Sequence, residues 1–364
     1  MIFFLPNGYG DLIMAVPAIR FLINIVGEEN LAIVVLTVSH AELLKYYIGN
    51  NVKYIIRRDG NKLSNLRLFF NLLFNKKRNI ILPMVSKKLI NKLFFALLPH
   101  EIITHNFFNI ITKKNIRYFP YSLNTYKGHQ VNYLMDFVSY TLKLNSVASE
   151  YLLAAREIKP HNNDKIKICL GISCGLSERH KIPTTKYFAD LVNYLHEMIH
   201  PEFHIISTKS DDRVLKSFAS HLNANILIYN HIDLSIVQLA DIIPKCDIGI
   251  AGMSGQGHLI GSFDLPMVIF AGVTNPKESA PFVSRAVIVS HKYLCGPCYQ
   301  EGFLYGCGIH NCMDSIDKER VLDAIKFLLL DSSNGLNWLD SCSKNTLSVS
   351  DIKLNLGKFE EVNV

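Results

Sequence analysis

The sequence predicts an α/β protein made of two doubly wound parallel sheets. Three observations carry this reading. Short apolar runs suited to buried strands alternate with amphipathic helical stretches along most of the 364 residues. Glycines break the chain where several of those runs end, most clearly in the stretch 247–276, DIGIAGMSGQGHLIGSFDLPMVIFAGVTNP. A polar, proline-bearing segment at 157–164, EIKPHNND, separates the two halves. The expected domains are 1–157 and 165–330, followed by a polar tail at 331–364.

Size and composition fit two globular cores: 49% of the residues are hydrophobic. Charges interrupt each apolar run, so no membrane span is expected. The start, MIFFLPNGYGDL, has no basic region ahead of its apolar residues, so a signal peptide is not expected and the protein reads as cytoplasmic. The net charge of +7 is uneven. Residues 1–160 hold 20 Lys and Arg against 9 Asp and Glu, and the remainder holds 18 against 22. A basic half suits an anionic partner such as a phosphorylated glycolipid or a membrane surface, and equally suits a solvated surface. No nucleic-acid-binding module accompanies the charge, so nucleic acid is not expected as a partner.

In chain order, 1–6 reads as a buried strand and 7–10 as a turn, and Asp11 opens an amphipathic helix. Asp11 suits a plain helix N-cap. It also suits a carboxylate at the C-terminal end of the first strand, where ligands sit in open α/β sheets. Strands are expected at 31–38, 52–56 and 79–84, and helices at 41–48, 63–74, 87–98 and 124–144. Basic residues cluster at Lys76, Lys77 and Arg78, at Lys87, Lys88 and Lys92, and at Lys113, Lys114 and Arg117. The last two clusters adjoin Phe94-Phe95 and Tyr118-Phe119, a pattern suited to an anionic leaflet or to an ordinary charged helix face.

The second half opens with a strand at 165–171. The loop 172–183, ISCGLSERHKIP, gathers Arg179, His180 and Lys181 before a helix at 184–198. Cations at a strand's carboxyl end suit a diphosphate, or the loop is simply solvated. Strands at 203–207, 226–229, 247–250 and 267–270 and helices at 234–243 and 317–330 complete the alternation, with Asp211 and Asp212 at a helix start. In the central stretch Gly252, Gly255 and Gly257 form a turn, Ser254 caps a helix and His258 lies in its first turn. Such a turn presents backbone N–H groups to phosphate. The same glycines also suit a βαβ crossover with tight turns and no ligand.

These landmarks resemble glycosyltransferase family 9, the lipopolysaccharide heptosyltransferases. Members begin with a strand and G-D-x-x-x-x-x-P-A, and Gly10, Asp11, Pro17 and Ala18 match. A G-x-[ST] loop, with a Lys three residues before a Pro, is met by Gly171, Ser173 and Pro183, with Tyr187 and Phe188 following. His180 stands at the Lys position, flanked by Arg179 and Lys181. The D-[ST]-G-x-x-H-x-A-A-x-x-x-x-P and G-x-T-[DN]-P segments are met by Ser254, Gly255, His258, Pro266, Thr274, Asn275 and Pro276. Met253 replaces the acidic residue, and Ile260-Gly261 replaces the small pair.

The resemblance implies a GT-B fold, two Rossmann-like doubly wound domains facing a cleft, with acceptor bound by the first and nucleotide sugar by the second. It implies an inverting, metal-independent transfer of heptose from ADP-heptose to a lipopolysaccharide inner-core acceptor at the inner face of the cytoplasmic membrane. Asp11 is then the general base, with Gly10 beside the acceptor. Ser173, Arg179, His180, Lys181, Ser254, Gly255 and His258 hold the donor diphosphate, and Asp211 or Asp212 contacts the ribose. Met253 and His180 leave open a relative with another donor or a protein acceptor, and a non-catalytic nucleotide-sugar-binding relative.

Cys295, Cys298, Cys307 and Cys312 fall within 18 residues, a spacing that suits a structural zinc or iron site, a set of reduced thiols or two adventitious disulfides. Some family 9 members carry a cysteine-rich segment here. No open catalytic metal position is expected.

Overall fold

The computed structural model describes residues 1–5, 8–57, 70, 72, 79–84, 100–105, 116–122, 125–144, 165–291, 296–300, 303–304, 311–330, 353–355 and 358–359. The chain divides into two compact units, Met1–Leu152 and Leu153–Val364. The expected linker at 157–164, the helices expected at 63–74 and 87–98 and the basic clusters at 76–78, 87–92 and 113–114 lie outside the described residues, apart from Phe70 and Leu72.

Unit 1 is a six-stranded parallel sheet. Its strands are β1 (Ile2–Phe4), β2 (Ala32–Val35), β3 (Lys53–Ile56), β4 (Asn79–Leu82), β5 (Glu101–His105) and β6 (Ile116–Phe119), in the order β3-β2-β1-β4-β5-β6. The sequence reading missed β5 and β6. Both carry polar residues that tertiary contacts neutralise: Arg117 on β6 pairs with Glu101 on β5 at 2.7 Å. The pair gives Arg117 a carboxylate partner within the sheet. Of the neighbouring aromatics, Phe119 is not an exposed ring. Phe119 is 5% exposed and packs edge-on against Tyr121, Tyr133, Phe137 and Tyr140.

Helix α1 (Tyr9–Val26) covers β1 and packs against α2 (Val38–Ile48) and α3 (Gln130–Leu142). Its buried residues run from Leu12 through Ala18 and on to Leu22, which is why the helix is apolar nearly all round. One expectation is corrected here: α1 has 18 residues of mean hydropathy 1.5, long and apolar enough by length and composition to cross a membrane. In the folded unit its stretch from Leu12 to Leu22 is largely buried, and the helix packs against α2 and α3, while Ile25 stays exposed. Pro17 lies inside the helix.

Unit 2 repeats the strand order. Strands β7 (Lys167–Gly171), β8 (Glu202–Ser207), β9 (Ile228–Ile232), β10 (Ile248–Gly252), β11 (Met267–Ala271) and β12 (Ala286–Ser290) are parallel, ordered β9-β8-β7-β10-β11-β12. Two short strands from the tail, Lys353–Asn355 and Lys358–Phe359, extend the β12 edge antiparallel, so the tail adds to this sheet. Helices α4 (Thr185–Ile199) and α10 (Lys318–Leu330) cover one face, burying Phe188, Leu191 and Ile325. On the other face α6 (Ile236–Ile242) and α7 (Gly255–Gly261) supply Leu239 and Ile260. Between them lie α5 (Asp212–Ala219) after β8 and two four-residue helices, α8 (Pro276–Ser279) and α9 (Asn311–Asp314). Burying both faces of the central strands explains why they read as continuous apolar runs rather than alternating ones.

Candidate functional site

In a doubly wound sheet the strand order reverses between two neighbours, and the crevice outside their carboxyl ends is open to a ligand. In unit 1 those neighbours are β1 and β4. Asp11 sits in the first turn of α1, directly beyond β1, and is half-buried. It does not serve as the N-cap, which is Gly8. Its Oδ1 accepts a hydrogen bond from Gln130 Nε2 at 2.8 Å, and the same nitrogen contacts Met84 Sδ at 3.7 Å, just beyond β4. The start of α3 is fixed there because the Tyr133 hydroxyl donates to the Pro83 carbonyl at 2.8 Å. Gln130 was invisible to sequence reasoning: 119 residues separate it from Asp11. Gly10, expected beside the acceptor, is half-buried in the same turn. Tyr9 next to it is 40% exposed and stacks on His40 with ring centroids 4.4 Å apart. Burial pushes the His40 imidazole below its ordinary pKa, which favours its neutral form.

In unit 2 the reversal falls between β7 and β10. Here the structure brings four of the expected positions together. Ser173 Oγ donates to Asp211 Oδ1 at 2.7 Å, and Asp211 Oδ2 accepts from the Thr208 N–H and hydroxyl at 2.8 and 2.9 Å. Ser254 caps α7 by accepting from the Gly257 N–H at 3.3 Å, and its hydroxyl approaches the Ser173 carbonyl at 3.5 Å. Gly255 is the first residue of α7, and His258 is 5% exposed one turn after the cap. Asp212 is outside this network, paired with Lys216 at 2.8 Å on the surface of α5.

The residue that ties these parts together is Gln256, which the sequence reading passed over. Its Nε2 donates to Ser173 Oγ and to the Ile206 carbonyl, both at 2.9 Å, and its Oε1 accepts from the Ser173 N–H at 2.9 Å. One side chain thus joins the carboxyl ends of β7, β8 and β10. Gln256→Leu, which leaves the partners unsatisfied, is expected to destabilise the protein by about 1–3 kcal/mol in urea unfolding. A change below about 0.5 kcal/mol would mean that water replaces the amide at no cost.

The three cations of the 176–181 loop are placed differently. Lys181 Nζ is bound to Glu178 Oε1 at 2.6 Å and lies 4.4 Å from the centre of the Tyr299 ring. His180 packs on Tyr299 with centroids 4.8 Å apart. Arg179 is exposed. Burial, and after it Glu178, pushes the Cys174 thiol up to about 12, so this cysteine is a neutral thiol and not a nucleophile.

Both departures from the motif have a packing cause. Met253 is 4% exposed among Ala251, Ile260 and Phe263, and the Thr274 hydroxyl contacts its Sδ at 3.6 Å. A carboxylate there would be buried. A Cβ on Gly261 would lie 2.8 Å from Val283 Cγ1 and 3.0 Å from Pro281 Cβ, so an alanine here would require those side chains to shift. Asn275 caps α8, accepting from the Lys277 N–H at 3.1 Å. Of the cysteines, Cys298 is half-buried and Cys312 is buried, both against the α4–α10 core. Cys295 and Cys307 lie outside the described residues. Among the described residues no three metal-ligating side chains converge.

No protein-family model and no curated sequence matches the chain. Solved structures do. The chain is similar to the glycosyl transferase family 9 protein from Veillonella parvula, at TM-score 0.67 and 15% identity over 91% of this chain and 97% of that one. It is similar to the E. coli ADP-heptose lipopolysaccharide heptosyltransferase II, at TM-score 0.64 and 14% identity, covering 91% and 98%. It is also similar to E. coli heptosyltransferase WaaC with ADP, at TM-score 0.59 and 10% identity, covering 90% and 99%. With two doubly wound units of like strand order and neighbours covered over almost their whole length, the chain has the GT-B fold, in the form seen in family 9 glycosyltransferases.

Proposed function

We propose that this protein is an inverting glycosyltransferase that moves a heptose from an ADP-activated donor to an anionic glycan acceptor of the lipopolysaccharide inner-core type. The observation that carries this reading is where the motif residues fall. In each unit they meet at the point of strand reversal, Asp11 in one and Ser173, Asp211, Ser254 and Gly255 in the other. Asp11 takes the proton of the acceptor hydroxyl, whose oxygen attacks the donor's anomeric carbon as the bond to the diphosphate breaks on the opposite face. Arg179, Lys181 and His258, with the first-turn amides of α7, stabilise the departing charge, which is the larger electrostatic contribution. Gln130 orients the Asp11 carboxylate.

The choice of ADP follows the neighbours described with ADP or ADP-heptose in their names. The basic N-terminal half suits a phosphorylated glycolipid on the inner leaflet of the cytoplasmic membrane. Cys295, Cys298, Cys307 and Cys312 fit a structural zinc or iron site by residue type, and no chemical step runs through them. Metal analysis of the purified protein tests that assignment.

Met253 favours a second reading, a relative with a different nucleotide sugar or a protein acceptor, because the donor-contact set is altered. A thermal-shift panel of ADP, UDP, GDP and CMP separates the two. ADP at a hundred times its dissociation constant is expected to stabilise the protein by about 2.7 kcal/mol, with the others silent. A shift with UDP or GDP instead overturns the donor assignment. No shift with any nucleotide makes a non-catalytic relative the better reading.

A further inference from the structure

The cysteine-rich segment takes no part in the chemistry above, yet its Tyr299 touches the cation loop at three residues. The Tyr299 hydroxyl donates to Glu178 Oε1 at 3.2 Å, the same oxygen that Lys181 Nζ meets at 2.6 Å. The Lys181 ammonium also lies over the Tyr299 ring at 4.4 Å, and His180 packs on that ring. The ammonium is therefore held between a carboxylate and an aromatic face, with its side chain only 14% exposed. A lysine on a flexible four-carbon stem gains such a fixed place only from its neighbours.

The loop does not supply that rigidity alone. Glu178, at φ −123° and ψ 15°, breaks the helical geometry between two short turns. What fixes the loop is contact on two sides. The Lys181 carbonyl lies 2.5 Å from where a Cβ on Gly252 would stand, so the loop rests on the strand end that leads into Ser254. Tyr299 is itself held by its N–H, which donates to the Val273 carbonyl at 2.7 Å in the turn after β11. The cation loop is thus braced by the Tyr299 side chain on one side and the β10 end on the other, and Tyr299 is anchored to the β11 turn through its backbone.

We infer that Tyr299 is a positioning residue for the donor site: it fixes the Lys181 ammonium at the carboxyl edge of the unit 2 sheet, where the leaving diphosphate is stabilised. The inference rests on the transferase reading, since a nucleoside diphosphate is the anion that Lys181 is proposed to meet.

The test is a double-mutant cycle on the full chain, read by calorimetric titration with ADP. Tyr299→Phe keeps the aromatic face and is expected to hold affinity within about threefold of the wild type. Tyr299→Leu keeps the bulk, loses the face and is expected to weaken ADP about five- to tenfold. Lys181→Met is expected to weaken it by at least as much. The double variant Tyr299→Leu/Lys181→Met is expected to match Lys181→Met within about twofold, because Tyr299 acts through that ammonium. Additive losses overturn the inference, as does an unchanged Tyr299→Leu. Labelling of Lys181 by an amine-reactive ester, read by mass spectrometry, gives a measure that does not depend on ADP. It is expected to run faster in Tyr299→Leu than in the wild type. If the wild type binds no nucleotide, the transferase reading fails. Faster labelling then still upholds the bracing contact, whereas unchanged labelling overturns it.

Discussion

Asp11→Asn is expected to lower turnover about a hundred- to ten-thousandfold while leaving ADP binding unchanged. The substitution keeps the shape of the side chain, and its amide oxygen still accepts from Gln130 Nε2, which now stands 2.8 Å from Oδ1. What is lost is the negative charge that, on the proposed mechanism, receives the acceptor's proton. Donor binding is expected to survive because the residues proposed to hold the diphosphate all belong to unit 2. Steady-state kinetics with ADP-heptose, set beside ADP titration of the same variant, separate the two effects. Full activity in Asp11→Asn would remove the general-base assignment, and loss of ADP binding in a folded variant would move Asp11 to a donor-binding role. Gln130→Ala is a milder companion. It should lower kcat without abolishing it, because the carboxylate remains and only its orientation is freed.

The second large effect is structural. Gly257→Ala is expected to destabilise the protein by about 3 kcal/mol or more. A Cβ at this position would lie 2.2 Å from the Gly252 carbonyl oxygen, a backbone atom that cannot rotate away. Relief requires α7 to move off the end of β10. That movement would carry Ser254 from its cap and Gln256 from Ser173 and Ile206, so ADP binding should fall along with stability. Gly175→Ala is the matched control. Nothing lies within 4 Å of a Cβ there and the backbone at φ −53° suits any residue, so its effect should stay within about 0.5 kcal/mol. Urea unfolding of both variants is the measurement. Equal stability for the two would mean that the α7 turn is looser than its packing indicates.

The same contrast between local pattern and distant partner separates what could be read in advance from what could not. Local sequence was enough for α1, α4, β7, β10 and β11, because an apolar stripe or run recurs with one period and has its own stop signals. It was also enough to place Asp11, Ser173 and Ser254 at strand ends, since the turns carrying them are built from adjacent residues. It was not enough for β5, β6 and β12. In β5 and β6, Thr104, His105 and Arg117 break the apolar run, and Arg117 fits the sheet through its ion pair with Glu101 on the neighbouring strand. It also misjudged Phe119, which adjoins basic residues along the chain but packs among aromatics from α3 in the fold.

At the site, the sequence narrowed the cation to Arg179, His180 or Lys181 and went no further. The fold places Lys181 and His180 through Glu178 and through Tyr299, which lies 121 residues from Glu178 in the chain, and leaves Arg179 exposed. Gln130 and Gln256 were missed for the same reason, because neither sits in a pattern that marks it and each acquires meaning only from residues 119 and 83 positions away. The chain's own periodicity determined the α/β class and the ends of strands where chemistry can occur, because burial by one face is a local property. Which side chain meets which carboxylate there was decided by the tertiary structure, because hydrogen bonds and ion pairs are chosen by proximity in space, and folding alone creates that proximity.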